Sequence, residues 1–210
     1  MSIEIELLNI TKRYGDKILY QNLVGKIESS SCTCITGNNG SGKSTLLKII
    51  AGIIKPTTGT IVPKKGNKQI PMNDYRTYIG MVSPEMNMYD TLTAMENLQF
   101  FTGIMPSTAC SDHALLQNSL KMVGLMEVKE KPVKTFSTGM KQRLKLAVLL
   151  ASDHPLWIFD EPSSNLDEDG RKLVKSCIAQ GLKKNKTIIL ATNDPLEVRY
   201  ADSVFKLTKN

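Results

Sequence analysis

Apolar and polar positions alternate along residues 3–8 with the two-residue rhythm of a half-buried strand, and Tyr14-Gly15-Asp16-Lys17 reads as a turn into a second extended segment reaching Leu23. An antiparallel pair is the expectation for the N-terminus. Residues 31–36 form a β-branched, cysteine-containing run that stops at the glycine-rich stretch 37–42, after which Leu46, Leu47, Ile49 and Ile50 recur at helical spacing within 43–51. Strand, tight loop and helix follow in that order. Pro56-Thr57-Thr58-Gly59 marks a turn, with short strands expected at 60–62 and 78–82. Between 91 and 139 the apolar period lengthens to three and four, predicting helices over 94–102 and 114–123, and a further helix over 140–152 ends ahead of Pro155. The remaining pattern is strand 156–159, helix 169–182, strand 187–191 and strand 203–207. Strands alternating with helices argue for an α/β fold with a mostly parallel core sheet, an N-terminal antiparallel β-subdomain and an inserted helical subdomain at roughly 85–136.

Length and composition narrow this further. At 210 residues the chain suffices for one large domain, and 41% hydrophobic with 22% charged residues is an ordinary globular balance that excludes a mainly disordered chain. The longest apolar runs, 146–151 and 156–159, are far shorter than the ~20 residues a membrane-crossing helix needs. Residues 1–10 alternate acidic and aliphatic side chains with no basic region leading into an apolar stretch, so no secretory signal is expected and cytoplasmic residence is. Cys32, Cys34, Cys110 and Cys177 have neither disulfide-framework nor zinc-site spacing and read as buried thiols. The excess of 27 basic over 20 acidic residues, a net charge of +7, suits a nucleic acid, an anionic membrane or a polyphosphate ligand. Few aromatics stand between the basic clusters, which favours solvated faces over a nucleic-acid surface.

Candidate chemistry sits at three places. Gly37-Asn38-Asn39-Gly40-Ser41-Gly42-Lys43-Ser44, followed by Thr45, has two glycines flanking four residues and then Lys-Ser. Such a loop turns backbone N–H groups around phosphate oxygens, sets a helix N-terminus behind them, gives Lys43 reach to the β- and γ-phosphates and offers Ser44 to Mg²⁺. This is a P-loop NTPase pattern. Leu156-Trp157-Ile158-Phe159-Asp160-Glu161 is an apolar strand ending in two carboxylates, with Asp160 placed to bind Mg²⁺ and Glu161 to polarise an attacking water. Phe136-Ser137-Thr138-Gly139-Met140-Lys141-Gln142-Arg143 opens a helix and, taken alone, is either a helix N-cap or a second anion site.

The last stretch resembles the signature motif of ATP-binding cassette (ABC) ATPases, usually Leu-Ser-Gly-Gly-Gln, and the Walker A-like phosphate loop and the Asp160-Glu161 strand fit the same family. The resemblance spans nearly the whole chain and implies one ABC ATPase domain over 1–210, with ATP and Mg²⁺ as cofactors. It implies that Tyr14 stacks on adenine, that Gly37 to Thr45 bind ATP, and that Ser137, Thr138 and Gly139 meet the ATP of a partner subunit. Ser164-Asn165-Leu166-Asp167 resembles the loop crossing between subunits, with Asp167 as the dimer-loop residue. The implied function is the ATP-hydrolysing subunit of an ABC transporter. Its partners would be a separate transmembrane permease and a second ABC ATPase, identical or different, and it would work at the cytoplasmic membrane face without nucleic acid. Residues 156–158 and 191–196 further resemble small exporter ATPases of the haem-exporter type.

Three departures stand out. Thr138 and Met140 replace the usual glycine and glutamine of the signature. Ser83-Pro84-Glu85 lacks the glutamine expected after strand 79–82, leaving Glu85 as the substitute metal residue. Asn193, in Ala191-Thr192-Asn193-Asp194, stands where the family has its switch histidine; its amide can donate to a γ-phosphate but carries no proton or charge in exchange. Asn193 is nonetheless the second expected catalytic residue beside Glu161. The alternatives are a soluble, non-transport ABC ATPase and a regulatory module that closes on ATP but hydrolyses it weakly.

Overall fold

The computed structural model describes residues 2–104 and 113–207; Cys110 lies outside them. Two strands open the chain, β1 (Glu4–Tyr14) and β2 (Lys17–Ile27), paired antiparallel through the tight turn at Gly15 and Asp16. The strand expected to end at residue 8 runs on to Tyr14 because its pairing continues past an irregularity at Asn9, whose φ of 53° shifts the register and breaks the alternation. Next come β3 (Cys32–Thr36), α1 (Lys43–Ile50), β4 (Thr58–Lys65), β5 (Lys68–Gln69), α2 (Met72–Tyr75) and β6 (Ile79–Val82). The helices α3 (Ala94–Gly103), α4 (His113–Met122) and α5 (Thr138–Ala151) follow, then β7 (Leu156–Asp160), α6 (Glu168–Lys183), β8 (Thr187–Ala191), α7 (Pro195–Val198) and β9 (Ser203–Lys206).

The described residues form two sheets. An antiparallel one runs in the order β2-β1-β4-β5, and a second in the order β6-β7-β8-β3-β9, with β7, β8, β3 and β9 paired in parallel. Both β7 and β8 are buried at every position, as parallel strands covered on both faces must be. The chain divides into two compact units: residues 1–81, 155–161 and 178–210, and residues 82–154 and 162–177. In the first, Ile3, Ile5 and Leu7 of β1 pack in one core with Leu46, Leu47, Ile49 and Ile50 of α1, Ile158 of β7 and Ile189 of β8. In the second, α5 buries Leu144, Leu146, Ala147 and Leu150 and packs on α3 and α4. That unit reaches beyond 85–136 and includes α5, which is buried at every position from Leu144 to Ala151.

Candidate functional site

In the first unit the glycine-rich loop leaves β3 and enters α1 at Gly42, whose φ of 95° is a left-handed turn that a side chain would oppose. No side chain caps α1 and its first turn holds no acid, so its leading N–H groups are left for an anion. Lys43 is 5% exposed and its Nζ donates to the Gly37 carbonyl at 2.9 Å, folding the ammonium over the loop. The Ser41 hydroxyl is buried there with no hydrogen-bond partner among the described residues. Asn39, Gly40, Gly42, Lys43, Ser44 and Thr45 line an open groove of about 630 Å³ together with Tyr14 and Glu161. Tyr14 is 54% exposed, its ring under the Lys12 ammonium at 4.8 Å.

β7 delivers Asp160 to the same place. Ser44 Oγ donates to Asp160 Oδ1 at 3.1 Å, and burial pushes this carboxyl above the usual carboxylate range against the pull of the Ser44 bond. A hydroxyl beside a desolvated carboxylate is an oxygen donor pair suited to a hard cation. No group of three or more His, Cys, Asp and Glu able to hold a metal lies among the described residues. Glu161 turns into the left-handed region with φ 47°, its N–H bonded to the Ala191 carbonyl at 2.9 Å, an uncommon backbone for a residue of this size.

A second open groove of the first unit, also about 630 Å³, has Gly37, Asn38, Asn39, Thr192 and Asn193 in its wall. The Asn193 side-chain amide donates to Asn39 Oδ1, joining the turn after β8 to the phosphate loop. Asn39 borders both grooves.

In the second unit Ser137 is the N-cap of α5, its hydroxyl accepting from the Met140 N–H at 3.2 Å. Ser137 and Gly139 line a groove of about 460 Å³ with Arg143, Asn165 and Asp167. A Cβ on Gly139 would meet nothing closer than 3.6 Å, so packing inside the chain does not demand glycine there. Thr138 lines a cavity of about 280 Å³ with Pro84, Asn87, Gln142 and Lys145. That cavity adjoins the groove of Ser137 and Gly139, with Asn165 in the wall of both. Asp167 accepts from the Gly170 N–H at 2.8 Å at the start of α6 and pairs with Arg143 at 3.3 Å, bonds that hold its carboxyl below the usual range. Glu85 is exposed beside Pro84. Lys145 donates to the Ser83 and Pro84 carbonyls at 3.0 and 3.2 Å, and burial lowers its pKa.

Comparison with known proteins decides the family. The model of the ABC transporter family matches residues 20–164, more than two thirds of the chain. The chain belongs to the ABC transporter ATP-binding family. It is 32% identical over 93% of its length, and 91% of the relative's, to the cytochrome c biogenesis ATP-binding export protein CcmA of Rhizobium etli. To the Nod factor export ATP-binding protein I of Burkholderia lata it is 32% identical over 90% of its length and 62% of the relative's. The ABC transporter cassette MJ0796, solved as a dimer, superposes with a TM-score of 0.84 at 27% identity over 97% of this chain and 94% of that one. cbiO1 of Clostridium perfringens, part of the transporter complex cbiONQ, gives 0.78 at 27% identity over 97% and 84% of the two chains. The protein thus has the fold of an ABC ATPase, which implies ATP binding and hydrolysis and is a fold that typically uses Mg²⁺. For this ABC ATPase the sequence reading missed three contacts: the Asn39–Asn193 bond, the Lys145 tether and the buried Glu197 beneath Thr192. The first joins side chains 154 residues apart and the second ties a side chain to backbone carbonyls 62 and 61 residues away, whereas the third is local, an acid in a short apolar-flanked turn.

Proposed function

We propose that this chain is the subunit that hydrolyses Mg-ATP to drive an ABC transporter through a separate transmembrane permease, working at the cytoplasmic face of the membrane. The observation carrying this reading is the arrangement of Lys43, Ser44 and Asp160 behind an uncapped helix N-terminus, with Glu161 on the same groove. Gly37, Asn38, Asn39, Gly40, Ser41, Gly42 and Thr45 present backbone and hydroxyl groups to the phosphates, Lys43 leaves the Gly37 carbonyl to neutralise the β- and γ-oxygens, and Tyr14 offers its exposed ring to adenine. Ser44 and Asp160 would hold Mg²⁺, which when bound would supply charge neutralisation of the transferred group. Glu161 accepts the proton of the attacking water, and Asn193 donates an amide N–H to the γ-phosphate. On this reading residues 1–210 act as one ATPase domain that pairs head to tail with a second copy or a second ABC ATPase. Ser137 and Gly139 face the partner's ATP, where the space in front of Gly139 supports a close approach, and Asp167 sits in the dimer loop. Mg-ATP hydrolysis by purified protein, abolished in Lys43→Ala and lowered at least 100-fold in Glu161→Gln, is the expected result; a wild type without Mg-dependent turnover contradicts the reading.

Asn193, Thr138 and Glu85 favour a second reading, in which ATP closes the dimer but hydrolysis is slow. Single-turnover hydrolysis compared between wild type and Asn193→His separates the two. A faster variant supports slow native chemistry, and an unchanged rate beside an already fast wild type removes it.

A further inference from the structure

We propose that Glu197 is a positioning residue for the switch turn at Asn193, acting through the Thr192 hydroxyl; this rests on the reading of Asn193 as the residue that meets the γ-phosphate. Glu197 lies in the one-turn α7 and is 3% exposed, a rare situation for a glutamate and a costly one for its charge. Its Oε2 accepts the hydrogen bond donated by Thr192 Oγ1, while Oε1 is buried with no hydrogen-bond partner among the described residues. Thr192 is therefore the one hydrogen-bonded side chain this carboxylate serves among them.

The consequence follows from proton counting. A threonine hydroxyl has one proton to donate, and with that proton held by the carboxylate its oxygen is committed to accepting. It accepts from the Asp194 N–H at 3.0 Å, while the Thr192 N–H is held by the Ile35 carbonyl of β3 at 3.2 Å. Both peptide neighbours of Asn193 are thus fixed. The far side of the turn is closed by Leu196 N–H on Asp194 Oδ1 at 2.9 Å and by Glu197 N–H on the Asp194 carbonyl at 3.0 Å. Between these anchors the Asn193 amide is delivered to Asn39 Oδ1 on the phosphate loop. Without Glu197 the Thr192 proton is free to turn toward other acceptors, and the turn that aims Asn193 loses its fixed polarity. An apolar side chain would fill the same space at lower electrostatic cost, so stability alone does not account for a carboxylate here.

The test compares wild type, Glu197→Leu and Glu197→Gln, each with and without Asn193→Ala. Glu197→Leu should lower kcat for ATP about 10-fold with KM within about twofold, the size expected of a misaimed group. Glu197→Gln should recover most of that loss, because its amide oxygen also accepts from Thr192. In the Asn193→Ala background Glu197→Leu should cost nothing further. Equal losses with and without Asn193, or no loss from Glu197→Leu, overturn the proposal. Should Glu197→Leu fail to fold, Thr192→Val against Thr192→Ser carries the same comparison, with only the valine variant slowed. The Asn193 side-chain amide signal in ¹⁵N–¹H spectra supplies a readout without nucleotide: it should shift in Glu197→Leu and stay in Glu197→Gln, and an unmoved signal in the leucine variant overturns the positioning role. A wild type that hydrolyses no ATP overturns the functional reading instead, and the spectra still decide the positioning.

Discussion

Asp160 is buried where the fold alone would not want a charge, and its raised pKa measures that conflict. A carboxyl whose folded-state pKa is raised binds protons more readily folded than unfolded, so the nucleotide-free protein loses stability as pH climbs from the ordinary carboxylate range through the raised value. Asp160→Asn keeps an acceptor for Ser44 and removes the penalty. Without nucleotide it should melt above wild type at pH 7.5, with the gap closing as pH falls to about 4; Mg-ATP should raise the wild-type Tm and leave the variant's almost unmoved. A variant melting below wild type at neutral pH would contradict this. The buried thiols make a second check. Burial pushes Cys32 up to about 12, Cys34 to about 11 and Cys177 to about 12, so at pH 8 none should be alkylated by iodoacetamide until the protein unfolds, as peptide mass mapping would show. Residue identities at the phosphate loop and at Asp160-Glu161 were legible because the chemistry fixes their spacing along the chain. Their partners were not: Asn39 and Asn193 stand 154 residues apart, and only the parallel pairing of β3 with β8 brings them together.

Long elements with strong periodicity were readable from the apolar pattern, whereas α2 and α7, with four residues each, are too short to show any period. The helical unit also depends on polar groups that no hydrophobic pattern reveals. Asn97 of α3 is fully buried; its amide donates to the carbonyls of Tyr89 and Thr93 at 2.9 Å each, and its oxygen accepts from the Tyr89 N–H at 2.7 Å. Asn97→Leu leaves the Tyr89 N–H without its acceptor and removes the amide donor from the Tyr89 and Thr93 carbonyls, which keep only their backbone partners, the Leu92 and Asn97 N–H groups, and should cost about 1–3 kcal/mol in urea unfolding; a loss below a few tenths would show that the 89–93 loop holds itself. Thr93 and Glu96 form a reciprocal cap on α3, with Thr93 N–H on Glu96 Oε2 at 2.7 Å and Glu96 N–H on Thr93 Oγ1 at 3.1 Å. These bonds hold the Glu96 carboxyl below the usual range, so the cap contributes above that range and is lost as pH falls through the lowered value. Thr93→Ala should cost about 1 kcal/mol at pH 7.

At the scale of the whole molecule, the two helix starts facing open grooves belong to different units, α1 to the first and α5 to the second. The family resemblance joins Ser137, Thr138 and Gly139 into one ligand surface; in the fold Thr138 lines one hollow and Ser137 and Gly139 another, with Asn165 in the wall of both. No helix among the described residues is long and apolar enough to cross a membrane, which on the proposed reading leaves the transport path to the permease. The net charge of +7 then serves phosphate and, on the same reading, an anionic membrane face. The central claim is that Mg-ATP is sandwiched between two such subunits and that Glu161 ends the sandwich by hydrolysis. Light scattering coupled to size exclusion, run in Mg-ATP on wild type, Glu161→Gln and Glu161→Gln with Ser137→Arg, tests it most directly. The account predicts a stable dimer for Glu161→Gln alone, with wild type and the double variant monomeric; a Glu161→Gln protein that stays monomeric in saturating Mg-ATP, or a wild type trapped as fully as the variant, would contradict it.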